Sequence, residues 1–275
     1  RDRVVIAMSF KIAIVPFHMW TPDVYTGAPT PVTGFLSAAA KAAGFAVFVR
    51  VLLTGIPLDG ANWENVLWIL AVLSMTVGNL MALRQSEVKR MLAFSSIAHA
   101  GYVLVAVVVG SASAISGVIF YSFAYAVMGT GAFGILTIRD AGRVPQTYDD
   151  LAGYGKRNPF QALMMTLFMF SLIGLPLTGG FIGKLQIFSA ALDGGWVWLT
   201  VIGILNSALS AYYYLRVVMF MYMREGALPE GTELSVKSSG FALTGLIGTA
   251  VAVLYLGVFP DKLIELASSS IQALL

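Results

Sequence analysis

The chain has 275 residues, of which 58% are hydrophobic and only 11% are Asp, Glu, Lys or Arg, and its mean hydropathy is +0.82. This charged fraction is about half that of an ordinary soluble domain and argues against a water-soluble globule. The formal net charge is +3, and the bases do not gather into a nucleic-acid-binding face, which excludes DNA and RNA as partners. The chain has no cysteine, so any iron–sulfur or thiol redox chemistry must take place on a partner chain.

Eight apolar runs are long enough to cross a membrane, because a helix needs about 20 apolar residues to span about 30 Å of hydrocarbon. A short amphipathic tail, from Asp261 to Leu275, follows the last run. The sequence therefore predicts an all-α polytopic membrane helix bundle with about eight transmembrane spans. The runs are Val4–Trp20, Pro31–Leu53, Trp63–Leu83, Val88–Gly110, Ala114–Ile138, Pro159–Leu192, Trp196–Met223 and Gly240–Phe259.

Basic residues alternate between the two ends of the predicted spans. They follow the third, fifth and seventh runs, whereas connections such as Thr54–Asn62 and Ser111–Ser113 contain none. The positive-inside rule then predicts that the basic connections lie in the cytoplasm. These residues are Arg84, Lys89, Arg90, Arg139, Arg143, Lys156, Arg157, Arg224 and Lys237.

Two runs are predicted to be discontinuous helices. The sixth run would be about 50 Å long as one helix, which is longer than the bilayer requires. Pro176, Gly179 and Gly180 predict its break, because proline removes a backbone donor and glycine permits non-helical torsions. Pro16 plays the same part in the first run. Paired interrupted helices are typical of inverted-repeat ion carriers, and the alternative at either proline is a plain kink.

Three lysines, Lys11, Lys41 and Lys184, lie inside apolar runs, whereas all 14 acidic residues fall in connections, span ends or the tail. A lysine at the centre of a membrane helix costs about 2.5–3.5 kcal/mol, so three of them need an explanation. One interpretation is snorkelling of the ammonium to the headgroups. The other is a proton relay, in which buried amines bind and release protons.

His99 is central in the fourth run and has two hydroxyls beside it, Ser95 and Ser96. Imidazole exchanges protons near neutral pH, so His99 is a candidate proton shuttle. The alternative is a hydrogen-bonded packing residue. His18, just after Pro16, is a second candidate at the rim of the first break.

The remaining membrane cations have a simpler interpretation. Arg50 and Arg216 lie near span ends and are expected to snorkel, and Tyr212, Tyr213 and Tyr214 beside Arg216 are expected to form an interfacial anchor. The sequence contains no nucleophile motif, phosphate-binding loop, metal-ligand cluster or catalytic carboxylate pair. We therefore expect no catalytic residue, metal or cofactor on this chain.

Five stretches of the chain form recognisable motifs: Lys11–Pro31, Phe35–Lys41, Gly78–Leu83, Val88–Tyr102 and Pro176–Lys184. Together they closely resemble the antiporter-like subunits of respiratory complex I. Within that family, the sequence of Trp20–Pro29 is similar to that of subunit N, the counterpart of mitochondrial subunit 2. Subunits L and M and the multisubunit sodium/proton antiporters more often have a different sequence there.

The resemblance implies a fold with two inverted five-helix repeats, each containing one broken helix that carries a key lysine. It assigns residues 1–54 to the end of the first repeat, 55–224 to the second, and 225–275 to a last transmembrane helix and the amphipathic tail. It also implies a relay through Lys11 in the first broken helix, Lys41, His99, and Lys184 in the second. The chain is expected to begin at the family's seventh helix, as a fragment without the glutamate that pairs with the first lysine.

By the same resemblance the chain is expected to be a proton-translocating subunit of NADH–quinone oxidoreductase, a translocase in a bacterial inner membrane. NAD, FMN, iron–sulfur clusters and quinone would then lie on partner subunits. Its own partners would be neighbouring antiporter-like and small membrane subunits, lipid and protons. The alternatives are an Mrp-type cation/proton antiporter subunit, a membrane subunit of a related hydrogenase, and a scaffold whose lysines only fix helix packing.

Overall fold

The computed structural model describes residues 2–52, 63–140, 146–225 and 240–272. Within these ranges the chain is helical apart from turns, one isolated antiparallel bridge between Glu87 and Thr147, and short connections. This confirms the predicted all-α membrane bundle. The helices are α1 (Asp2–Ile12), α2 (Trp20–Gly27), α3 (Thr30–Phe35), α4 (Lys41–Arg50), α5 (Trp63–Leu83), α6 (Val88–Val109), α7 (Ala112–Asp140), α8 (Tyr154–Arg157), α9 (Pro159–Ile173), α10 (Gly179–Asp193), α11 (Val197–Met223), α12 (Gly240–Val258) and α13 (Asp261–Gln272).

Six helical segments of the described chain are long and apolar enough to cross a membrane without interruption. One of them joins α3 to α4 through a π-helical turn, Leu36–Ala40. With the two interrupted runs they account for the eight predicted spans. The six are Thr30–Arg50, Trp63–Leu83, Val88–Val109, Ala112–Arg139, Val197–Met223 and Gly240–Val258.

Both predicted breaks are present as gaps between half-helices. The first gap lies between α1 and α2 and contains Pro16, after a cis peptide bond. The second lies between α9 and α10 and contains Pro176, while Gly179 and Gly180 begin α10 instead of lying in the gap. Glycine is needed there for another reason, because a Cβ on Gly180 would overlap the carbonyl oxygen of Ser171.

Helix α6 is the centre of the bundle, and nearly all of its residues are buried. It packs against α2, α5, α7, α10 and α11. The closest approach is to α5, where a Cβ added to Gly78 would lie 2.7 Å from the backbone nitrogen of Ala98. The two helices therefore pack nearly backbone to backbone, which small residues permit in membrane helices.

The basic end of the bundle is tied together by side chains that the sequence placed at the membrane surface. Arg216 does not snorkel freely: its guanidinium lies 4.2 Å from the ring centre of Tyr148. Burial raises the pKa of Tyr148 to about 12, so the arginine stacks on a neutral phenol. Lys89 is buried, and its ammonium donates to the carbonyls of Thr26 and Ala28, 3.3 and 2.5 Å away. These contacts join α11 and α6 to neighbouring connections.

We expect Gly78→Ala to destabilise the bundle, because the added methyl group would meet the α6 backbone. Overpacking of this kind costs about 1–3 kcal/mol. Thermal melting of the purified chain in detergent measures the change. Gly248→Ala on α12 is the matched control, since a Cβ there would meet nothing within 4 Å. Equal melting temperatures for the two variants would contradict the close packing.

Candidate functional site

Lys41 reaches the interior of the bundle from the start of α4, directly after the π-helical turn. The residue is 5% exposed, so its ammonium does not extend to the membrane surface. Nζ donates to the hydroxyl of Ser96 at 2.8 Å and to the carbonyl of Ser96 at 2.5 Å. The lysine charge is therefore held by one serine on α6.

His99 lies on the same face of α6, about one turn after Ser95 and Ser96. Its two ring nitrogens contact two phenols: Nδ1 lies 2.6 Å from the Tyr121 hydroxyl, and Nε2 lies 2.9 Å from the Tyr214 hydroxyl. Tyr214 also shares a short hydrogen bond with Ser95. A neutral imidazole donates from one nitrogen and accepts at the other, so this arrangement suits proton exchange through hydroxyl groups.

The tyrosines of α11 were expected to anchor the chain at the interface, and for two of them this was wrong. Tyr213 and Tyr214 are fully buried, whereas Tyr212 is 65% exposed. Successive residues on a helix point about 100° apart, so three adjacent tyrosines cannot all face lipid. Only Tyr212 keeps the predicted orientation.

Lys184 lies in the second turn of α10, and its ammonium fills the break before it. Nζ donates to the carbonyls of Ile173 and Leu172, at 2.7 and 3.1 Å, and to the hydroxyl of Ser207 at 2.8 Å. The first two carbonyls end α9, which Gly174 closes with φ of +89°. A helix C-terminus carries partial negative charge, so it favours a cation at this place.

A small cavity separates Lys41 from His99 and has room for about one water molecule. Ser96, Tyr121 and Ser122 also line it. The Ser122 hydroxyl is buried and has no hydrogen-bond partner in the described chain. Buried waters bind where such polar groups are otherwise unsatisfied. Lys41 and His99 therefore line the same small cavity.

Lys41, Ser95, Ser96, His99 and Lys184 are therefore brought into one region, which we call the polar axis. Lys41 and His99 line one cavity, and His99 and Lys184 both lie against the Tyr102 ring. No carboxylate contacts either lysine among the described residues; Asp23 pairs instead with Arg90, at 2.8 Å, away from both. The two ammonium groups are therefore stabilised by hydroxyls, carbonyls and helix ends.

Two of the predicted site residues make no hydrogen bond to the polar axis within the described residues. Lys11 is exposed near the end of α1. His18 is buried in the first gap, and its Nδ1 has no hydrogen-bond partner in the part of the chain that the structure describes. The backbone of that gap is satisfied in part by Ser74, whose hydroxyl accepts from the Val15 amide at 3.0 Å.

Sequence reasoning missed the amides and phenols that surround the lysines. Asn79 on α5 donates to the Tyr102 hydroxyl at 3.3 Å and accepts from the Tyr213 hydroxyl at 2.8 Å. It also donates to the backbone carbonyl of Asn206 on α11 at 3.1 Å. Amides inside apolar spans were the available signal, because a polar side chain in a membrane helix is costly unless it is paired. The described residues contain no group of three His, Asp or Glu side chains that could hold a metal ion.

Comparison with known sequences and structures places these features in a family context. A profile described as NADH:quinone oxidoreductase/Mrp antiporter, transmembrane, matches residues 3–210. NADH-quinone oxidoreductase subunit N of Trichlorobacter lovleyi is 50% identical over 264 residues, which are 96% of this chain and 54% of that protein. The chain thus spans about half the length of this relative, and the sequence resemblance to subunit N is confirmed.

Two solved structures share the fold. A chain of respiratory complex I from Thermus thermophilus superposes with a TM-score of 0.83 at 35% identity, covering 96% of this chain and 57% of that one. A chain of the Mrp complex from Dietzia sp. superposes with a TM-score of 0.87, covering 99% and 58%, but at 22% identity it shows the fold alone.

We expect Tyr214→Phe to destabilise the bundle by about 1–3 kcal/mol, because it leaves His99 and Ser95 short of a buried hydrogen-bond partner. Tyr212→Phe removes the same hydroxyl from the exposed face of the same helix and is expected to change stability little. Thermal melting in detergent compares the two variants. A Tyr214→Phe protein as stable as Tyr212→Phe would show that the His99 hydrogen bonds do not contribute.

Proposed function

Because the chain belongs to the NADH:quinone oxidoreductase/Mrp antiporter transmembrane family, we propose that it is a proton-translocating membrane subunit of an NADH–quinone oxidoreductase. In this role it couples electron transfer on partner subunits to proton movement across the membrane. NAD, FMN, iron–sulfur clusters and quinone are carried by those partners. Its direct neighbours are other antiporter-like and small membrane subunits.

The observation that carries this proposal is the polar axis. Two buried ammonium groups flank a histidine, and both ring nitrogens of that histidine contact tyrosine hydroxyls. Each group can hold a proton, and hydroxyls stand between them. A charge on one site disfavours a charge on the next, since the membrane interior screens Coulomb interactions weakly. A proton that enters at one lysine therefore promotes release from its neighbour.

The proposed path runs from Lys41 through Ser96 and the one-water cavity to His99, and onward toward Lys184. Tyr121 and Tyr214 are the hydroxyls that His99 contacts. Lys11 is included in the relay because of its place in the first apolar run and because of the resemblance; no described hydrogen bond joins its exposed side chain to Lys41. His18 is a candidate because it follows Pro16 at the rim of the first gap.

The proposed repeat structure fits the order of the helices. The second inverted repeat, residues 55–224, would comprise α5, α6, α7, the broken pair α9 and α10, and α11. Residues 225–275 would comprise α12 and the amphipathic α13. With the basic ends of the spans in the cytoplasm, the chain would be a multi-pass protein of a bacterial inner membrane.

An Mrp-type antiporter subunit is the second candidate. The matching family profile includes Mrp antiporters, and a chain of the Dietzia Mrp complex shares the fold. It would use the same lysines without redox partners. Native gel electrophoresis of mildly solubilised membranes separates the two. We expect this chain to migrate within a large band that stains for NADH dehydrogenase activity. Migration outside any such band would overturn the respiratory proposal.

We expect Lys41→Met and Lys184→Met to lower NADH-driven proton pumping by about tenfold or more while the complex still assembles. Methionine keeps the length of the side chain and removes the exchangeable proton. Pumping is measured as acidification of inverted membrane vesicles, with NADH oxidation recorded in parallel.

Lys156→Met is the matched control, because Lys156 is exposed at the basic end and lies outside the polar axis. It is expected to pump normally. Full pumping by both Lys41→Met and Lys184→Met would show that these lysines serve packing only.

A further inference from the structure

Tyr102 lies between the histidine and the second lysine of the polar axis. Its ring centre is 4.9 Å from Nζ of Lys184 and 5.6 Å from the ring centre of His99. His99 and Tyr102 are three residues apart on α6 and share one face of that helix. Tyr102 has no role in the proposed relay.

The ammonium of Lys184 makes three hydrogen bonds and also lies over the face of the Tyr102 ring. Three oxygens, from Leu172, Ile173 and Ser207, accept its hydrogen bonds. None of the three belongs to a carboxylate. The face of an aromatic ring is electron-rich and attracts a cation within about 6 Å, and the attraction is stronger where water is excluded. A neutral amine gains no such attraction.

The orientation of Tyr102 is fixed by the amide network beneath it. Its hydroxyl accepts from Asn79 at 3.3 Å, and Asn79 is held in turn by Tyr213 and Asn206. Asn206 also donates to Thr76 at 3.3 Å. Tyr102 and Asn79 are both fully buried. Satisfied buried networks of this kind hold their members in one arrangement.

We propose that Tyr102 is a positioning residue for Lys184: its ring face binds the protonated ammonium and separates that ammonium from His99. Asn79 sets the ring at the required angle from α5. A proton then passes between His99 and Lys184 through the hydroxyls beside the ring and not by direct contact. The inference deepens the proposed function and rests on it for the meaning of the relay, but the cation–ring contact can be tested separately.

The first test changes the electron density of the ring while its shape is kept. Tyr102 is replaced by phenylalanine and then by mono-, di- and trifluorophenylalanine through amber suppression, in the assembled complex. Tyr102→Phe keeps the ring face but loses the hydrogen bond from Asn79, so it serves as the reference against which the fluorinated variants are compared. Each added fluorine withdraws electron density, so pumping should fall stepwise along the series. Equal pumping across the fluorinated series would overturn the proposal, because packing alone does not sense that density.

The second test is a double-mutant cycle on thermal melting, which requires no electron transfer. Tyr102→Leu is made in the native chain and in the Lys184→Met chain. If the ring binds the cation, the melting temperature should fall further with Lys184 present than with methionine, by about 2–4 °C. Equal decreases in the two backgrounds would overturn the inference.

Phe220→Leu provides the control in both backgrounds. Phe220 is a buried aromatic residue at the basic end of α11, near Arg216 and outside the polar axis, and its replacement removes a ring of similar size. Its effect on melting should not depend on Lys184. The melting measurement requires no NADH oxidation. A wild-type complex that does not pump protons would contradict the proposed function. The double-mutant cycle would still decide whether the Tyr102 ring binds the Lys184 ammonium.

Discussion

Burial of two lysine ammonium groups among apolar helices is the constraint on which the rest of this bundle depends. A charge removed from water is costly unless its surroundings replace the lost hydration. Lys41 is compensated by the hydroxyl and carbonyl of Ser96, and Lys184 by two helix-end carbonyls and Ser207. These oxygens carry no full charge, so they stabilise the ammonium less strongly than a tight carboxylate pair would.

The broken helix and its lysine depend on each other. Interrupting a helix within the bilayer leaves carbonyls without partners, and lipid supplies no donors for them. Lys184 donates to two of these carbonyls, and the amide of Gly180 donates to the Ser171 hydroxyl at 3.3 Å. The break therefore provides the oxygens that the lysine needs, while the lysine satisfies the backbone that the break exposes. Loss of the proton from Lys184 would weaken its hydrogen bonds to these carbonyls. Protonation of Lys184 and the geometry of the break are linked in this way.

Helix α6 converts these separate sites into one axis. Its face carries Ser95, Ser96, His99 and Tyr102 in successive turns, and close packing at Gly78 holds α5 against it. The partners of these residues come from α4, α5, α7 and α11. The polar face of α6 could not be exposed to lipid, so neighbouring helices must cover it. The burial of α6 is therefore a consequence of the polar axis that it carries. The basic end, where Arg216 stacks on Tyr148, joins α11 to the connection before α8.

The sequence alone determined the membrane class, the spans, the two breaks, and Lys41, Lys184 and His99 as the unusual groups, because hydropathy, proline and isolated charges are local properties. It did not identify Tyr102, Asn79 or Tyr214, and it placed Tyr213 and Tyr214 at the surface. In soluble helices the apolar face marks the core, but here lipid and core are both apolar, so periodicity does not distinguish inward from outward positions. Only the tertiary structure decided which phenols and amides meet the lysines, because that choice depends on which neighbouring helix covers each face.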